Sequence, residues 1–121
     1  SIPHQIDFMA VSSYGAGARE TTGQVRITLD LSSSIYHRNV LIVEDIIDSG
    51  HTIATVMELL RTRQPKSLRI CTLIDKQAHR VTNVPVDYIG FSMDDGFIVG
   101  YGLDFDERYR DLPDIRVVES V

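Results

Sequence analysis

Val40-Leu41-Ile42-Val43-Glu44-Asp45-Ile46-Ile47-Asp48-Ser49-Gly50-His51-Thr52 is the stretch that decides the fold. Its first four residues are continuously apolar and rich in β-branched side chains, the pattern of a strand covered on both faces in a parallel sheet. Two adjacent acids follow, a third stands three residues on, and a small-residue turn at Ser49-Gly50 comes next. From Thr52 the apolar residues Ile53, Val56, Met57 and Leu60 recur at i, i+3, i+4 and i+7, one face of a helix that Pro65 cannot continue. Leu68, Ile70, Cys71, Leu73 and Ile74 form the next apolar strand, closing a strand–helix–strand unit with an expected right-handed crossover. The fold class is therefore α/β, a parallel sheet flanked by helices.

Outward from this unit, Ile6, Phe8 and Val11 mark an apolar segment, residues 6–12, that reads as a strand leading into a loop. Residues 14–23 hold three glycines and almost no large apolar side chain, and are expected to form a mobile loop over about residues 13–24. Val25, Ile27 and Leu29 then alternate with Arg26, Thr28 and Asp30, the period of a half-buried strand. Towards the other end, residues 86–91 read as a strand, residues 97–101 as a short apolar segment between glycines, and residues 115–118 as a short final strand. No repeat or linker divides the chain, so one domain over residues 1–121 is expected.

Composition narrows the function classes. Apolar residues make up 43% and charged residues 24%, the balance of an ordinary globular protein. There is no 18-residue apolar run to span a bilayer and no basic, apolar start to act as a secretory signal, which leaves the cytoplasm as the expected location and no membrane as a partner. The formal net charge is −5, and no basic stripe interrupts it, which argues against a sequence-independent grip on nucleic acid. The single cysteine, Cys71, lies in an apolar run and reads as a buried, inert thiol.

In an open α/β sheet, ligands bind outside the carboxyl ends of the strands, and residues 44–52 put three acids and a turn there. The turn opens a helix, so unpaired backbone N–H groups and the hydroxyls of Ser49 and Thr52 can converge on a phosphate at the positive end of the helix dipole. Gly50 is read as removing a side chain that would keep the phosphate away. The bland alternative is that Asp48 or Ser49 merely caps the helix and the acids are solvated. Two adjacent acids after an apolar strand, a third before the glycine turn, and the turn itself make that alternative the weaker one.

The segment resembles the phosphoribosyl-diphosphate (PRPP) signature of type I phosphoribosyltransferases, and downstream positions resemble their hypoxanthine-guanine branch. The likeness runs over residues 6–118. It implies a Rossmann-like core with a mobile active-site loop, and purine salvage as the activity. The phosphoribosyl group would pass from PRPP to hypoxanthine or guanine, giving IMP or GMP and pyrophosphate. By the resemblance, Glu44 and Asp45 bind the ribose hydroxyls, Asp48, Ser49, Gly50, His51 and Thr52 cradle the 5′-phosphate, and Asp48 is the general base at purine N7. Lys76 donates to purine O6, Phe97 stacks on the base, Ile98 meets it through backbone atoms, and Asp104 lies near magnesium and the base. Arg110 contacts pyrophosphate, and Ser13 and Tyr14 begin the loop that closes over the transition state, excluding water from an oxocarbenium-like ribose. Mg²⁺, held by Glu44, Asp45 and Asp104, is the implied cofactor, because these acids otherwise face a diphosphate directly. A homo-oligomer is implied as well.

Two departures from the family pattern accompany the likeness. His51 stands where the family often has lysine, and an unperturbed histidine is mostly uncharged at neutral pH. Relatives also carry an N-terminal region with further strands and a Lys-Gly loop for pyrophosphate, and no Lys-Gly pair occurs in these 121 residues. Weak catalysis, self-association or marginal stability, and an apolar edge at residues 6–12 are the corresponding expectations. A non-catalytic nucleotide-binding or regulatory module on the same fold is the main competing reading. A phospho-acceptor receiver domain is a remote one, since it lacks an acceptor aspartate on an intermediate strand and leaves residues 48–52 unexplained.

Overall fold

The computed structural model describes residues 1–13 and 25–119. Its centre is a three-stranded sheet, β3 (Asn39–Ile47), β4 (Ser67–Asp75) and β5 (Tyr88–Ser92), in the order β3-β4-β5 and parallel throughout. The helix α1 (His51–Thr62) joins β3 to β4, as parallel neighbours require a crossover connection. Two antiparallel pairs complete the described residues: β1 (Ala10–Ser13) with β2 (Val25–Leu29), and β6 (Phe97–Val99) with β7 (Arg116–Val118).

The apolar period of the helix becomes its packing. Ile53, Val56, Met57 and Leu60 are all buried, and Ile53 and Met57 join Ile47, Ile70 and Val84 in the core, with Ile42, Ala54, Leu68 and Val86 packed around them. Fully burying side chains of this kind stabilises a fold by about 1.5–3 kcal/mol each. The helix ends at Thr62 with Arg63 as its C-cap, and Gln64 turns the chain with φ 55° ahead of Pro65.

Three expectations change. The strand expected at residues 6–12 begins only at Ala10, and Ile6 and Phe8 are exposed. Asp7 is the physical reason: its carboxylate accepts the N–H of Phe8 at 2.8 Å, of Ser32 at 3.0 Å and of Ser33 at 3.1 Å, a local alternative to a sheet ladder. Secondly, β3 is not covered on both faces by the described residues. Leu41 is 52% and Val43 72% exposed, because α1 lies on one side and no other described helix lies on the other. Lastly, Cys71 is free but only half-buried. Of the expected closing loop, Ser13 ends β1, whereas Tyr14 and residues 15–24 lie outside the described residues.

Candidate active site

The carboxyl end of β3 and the start of α1 enclose a cleft of about 190 Å³, lined by Glu44, Ile46, Ile47, Asp48, Ser49, Gly50, Thr52 and Ile53. Most of the decisive stretch thus reaches one place. Gly50 is the N-cap of α1 with φ 88°, and no side chain caps the helix, so the capping alternative fails. The N–H of His51 meets Ser49 Oγ at 3.4 Å, while the amides of Thr52 and Ile53 find no acceptor among the described residues. These orphan donors at the positive end of the helix dipole form an anion site made of backbone.

Gly50 is needed for a different reason from the one expected. Its left-handed φ disfavours any side chain, and a Cβ there would lie 2.8 Å from both Arg80 Cδ and the carbonyl oxygen of Thr82. The glycine makes room for residues 80–84 behind the turn. That segment holds the turn firmly: the N–H groups of Val81 and Thr82 donate to Ser49 O at 2.9 and 3.1 Å, and Arg80 Nε donates to Asp48 O at 3.2 Å. The Arg80 guanidinium also bonds the buried Asp75 carboxylate. His51 belongs to the same backing, since its Nδ1 lies 2.7 Å from Thr82 Oγ1 and the ring does not line the cleft. The turn therefore presents backbone amides to the cleft, and not the imidazole.

The adjacent acids separate. Both Glu44 and Asp45 lie inside β3 rather than beyond it, and successive strand residues point to opposite faces. Glu44 is half-buried and lines the cleft, whereas Asp45 is exposed, does not line it, and accepts the N–H of Ile46 at 2.7 Å. Burial, and then the neighbouring Asp45 charge, raise the Glu44 carboxyl above its ordinary 4.5. An acid raised by folding favours the folded state fully below its ordinary value, and that contribution is lost as pH rises through the raised one. Glu44→Gln should therefore raise the melting temperature of the ligand-free protein at about pH 8, with the gain vanishing below about pH 4.5. Thermal melts across pH check this, and an unchanged melting temperature at the upper end would contradict it.

Lys76 follows β4 and is buried, not a solvated strand end. Its N–H bonds Ile47 O at 3.0 Å, which ties it to the end of β3, and its Nζ donates to Gly96 O at 2.8 Å. The ammonium stands 6.0 Å from the centroid of the Phe97 ring, which packs edge-on against Phe105 at 5.3 Å. Ile98 is buried in the interior, leaving only its backbone for a ligand. Asp104 accepts the N–H of Glu107 at 2.8 Å and lies 3.3 Å from Arg110, whose Nη1 donates to Gly102 O at 2.9 Å. Glu44, Asp45 and Asp104 are not gathered into one metal-ligating group, and among the described residues no three potential ligand side chains are. Sequence reading missed His79, whose Nδ1 lies 2.9 Å from Asp48 Oδ1, and Arg80 with Asp75, because no local pattern marks partners joined across a turn.

Residues 2–106 match the sequence profile of the phosphoribosyl transferase domain. The chain belongs to the phosphoribosyl transferase family. It is 55% identical over 112 residues to the hypoxanthine phosphoribosyltransferase of Salmonella typhimurium, covering 93% of this chain and 62% of that protein. To the hypoxanthine-guanine phosphoribosyltransferase of Bacillus subtilis it is 49% identical over 115 residues, covering 95% of this chain and 63% of the relative. A crystal structure of a hypoxanthine phosphoribosyltransferase from Staphylococcus aureus superposes with a TM-score of 0.86 at 48% identity, over 93% of this chain and 61% of that one. The phosphoribosyl transferase chain described here thus has the type I α/β core and spans a little over three fifths of the length of these relatives. Among its described residues, no helix is long and apolar enough to cross a membrane.

Proposed function

We propose that this chain carries the transfer site of a purine-salvage enzyme, which moves the phosphoribosyl group of PRPP to hypoxanthine or guanine and releases pyrophosphate. The observation that carries the reading is the backbone anion site at the start of α1, opening into a cleft that Asp48 and Glu44 also line. A 5′-phosphate suits the amides of residues 50–53, a ribose diol suits an acceptor such as Glu44, and Asp48 suits the proton that leaves purine N7. As the base nitrogen bonds to C1 of the ribose, the C1–pyrophosphate bond breaks and Asp48 takes that proton.

The purine belongs beyond the cleft, against Lys76 and Phe97. Only one of the three Lys76 ammonium donors is directed to Gly96 O, which leaves donors for purine O6, and the half-exposed Phe97 ring offers a face for stacking. Backbone atoms of Ile98 and the Asp104–Arg110 pair complete the base and pyrophosphate sides, with Ser13 and Tyr14 at the start of the closing loop, and the ribose acceptor is Glu44 rather than Asp45, which faces away from the cleft. Magnesium is the cofactor of this reading, held at separate points rather than in a cage. Glu44 on the cleft side and Asp104 beside Arg110 would each lend a hard carboxylate oxygen, Asp45 lies on the opposite face of β3, and the ion would take most of its shell from substrate oxygens and water. It supplies charge neutralisation of the diphosphate at a cleft with no Lys or Arg in its lining. A cytoplasmic, homo-oligomeric enzyme belongs to the same reading.

The test mixes the protein with PRPP, magnesium and each purine in turn, and measures nucleotide and pyrophosphate. Formation of IMP and GMP is expected. PRPP with magnesium should also stabilise the fold, by about 2.7 kcal/mol at a hundredfold excess over Kd. Stabilisation without turnover would leave a binding module, and neither effect would remove the phosphate site.

A further inference from the structure

Thr82 meets three successive residues of the turn that opens α1. Its N–H donates to Ser49 O at 3.1 Å, its carbonyl oxygen lies 2.8 Å from where a Cβ on Gly50 would stand, and its Oγ1 lies 2.7 Å from His51 Nδ1. A threonine hydroxyl both donates and accepts, so this last hydrogen bond forms with either tautomer of the ring. Both side chains are half-buried, and neither lines the cleft. The residues so held stand on either side of Gly50, whose φ of 88° sets the direction in which α1 begins.

A backbone anion site binds only as well as its N–H groups are aimed, and one shaped in advance loses no affinity to ordering when the ligand arrives. Here the open amides of Thr52 and Ile53 follow directly on His51, and among the described residues no side chain caps the helix to fix its first turn. On the strand side of Gly50 the turn is tied by backbone, through Val81 and Thr82 to Ser49 O. On the helix side the imidazole makes the tie, to the same short segment. We propose that His51 and Thr82 are a positioning pair for the phosphate site. The ring is an internal strut that joins the start of α1 to residues 80–82 and keeps the helix amides aimed, and it is not a group that meets the phosphate. This rests on the phosphate reading of the cleft and assigns His51 a place within it.

The test titrates the protein with ribose 5-phosphate, which carries the 5′-phosphate without the diphosphate, and with PRPP and magnesium. Thr82→Val keeps the shape of the side chain and removes the hydroxyl, and should weaken ribose 5-phosphate binding about fivefold, the effect of losing one hydrogen bond. Thr82→Ser restores the hydroxyl and should bind within about twofold of wild type. His51→Ala reaches the same contact from the helix side and should weaken binding by a similar factor, and the double variant Thr82→Val/His51→Ala should bind no worse than either single one. In turnover, Thr82→Val should raise the KM for PRPP with kcat within about twofold of wild type. Unchanged affinity in Thr82→Val overturns the proposal, as does a Thr82→Ser variant as weak as Thr82→Val. Losses that multiply in the double variant also overturn it, because the two side chains then act separately. If the wild type binds neither ribose 5-phosphate nor PRPP, the phosphate reading itself falls and the pair has no site to position, whereas wild-type binding indifferent to both residues sinks this proposal alone.

Discussion

Asp48→Asn is expected to lower phosphoribosyl transfer by about 10²-fold or more, while the fold and the stabilisation by PRPP with magnesium are kept. Asparagine has the shape of aspartate, and the turn at residues 48–50 is held through the backbone by Arg80, Val81 and Thr82, none of which touches the Asp48 carboxylate. What is lost is the ability to take a proton. An amide offers the substrate side no group that can take up that proton, and its NH₂ end is itself a donor. Steady-state kinetics with hypoxanthine and guanine, alongside PRPP melts, separate the two effects. Turnover within about threefold of wild type would remove Asp48 from the role of base, and loss of the PRPP-induced shift would mean that the substitution disturbs the turn itself.

How far the sequence was legible depends on how local each signal is. Residues 40–74 were readable because a β-branched run, a 3.6-residue apolar period and a second apolar run each fix an element by its own composition, and the three together define β3, α1 and β4. That most of the Glu44–Thr52 stretch lines one cleft was readable because strand ends and helix starts have fixed positions in an α/β sheet. Two features were not. Where the strand stops is decided by pairing rather than by residue type: β3 runs through both acids because Glu44 pairs with Thr72 and Ile46 with Ile74 of β4, and this turns Glu44 and Asp45 to opposite faces. The support behind the turn was invisible too. Nothing near Gly50 announces that Arg80 and Thr82 will pass within contact of it, and nothing near Arg80 announces that Asp75 and Asp48 are its partners. At residues 6–9 the apolar signal was real but lost to the side chain of Asp7.

The largest stability effect is expected at that hidden support. Arg80→Ala should destabilise the protein by about 3–5 kcal/mol, because it leaves the Asp75 carboxylate, 3% exposed, as an uncompensated buried charge. The guanidinium is 13% exposed and also donates to Asp48 O at 3.2 Å and to Val84 O at 3.5 Å, so its removal loosens both the turn and the core residue behind it. A second substitution divides these contributions. In Asp75→Leu/Arg80→Leu the buried charge is gone, and apolar side chains of similar bulk can fill the space, so urea melts should recover at least half of the loss. Binding should not follow stability. With no donor on the Asp48 carbonyl, residues 48–50 lose part of the geometry that aims the helix amides, and PRPP affinity in the double variant should stay below that of wild type although the fold has returned. A loss under about 1 kcal/mol in Arg80→Ala would show the ion pair to be solvated and dispensable. Full recovery of both stability and PRPP affinity in the double variant would show instead that Arg80 serves only to neutralise Asp75, and that the phosphate-binding turn keeps its shape without being held from behind.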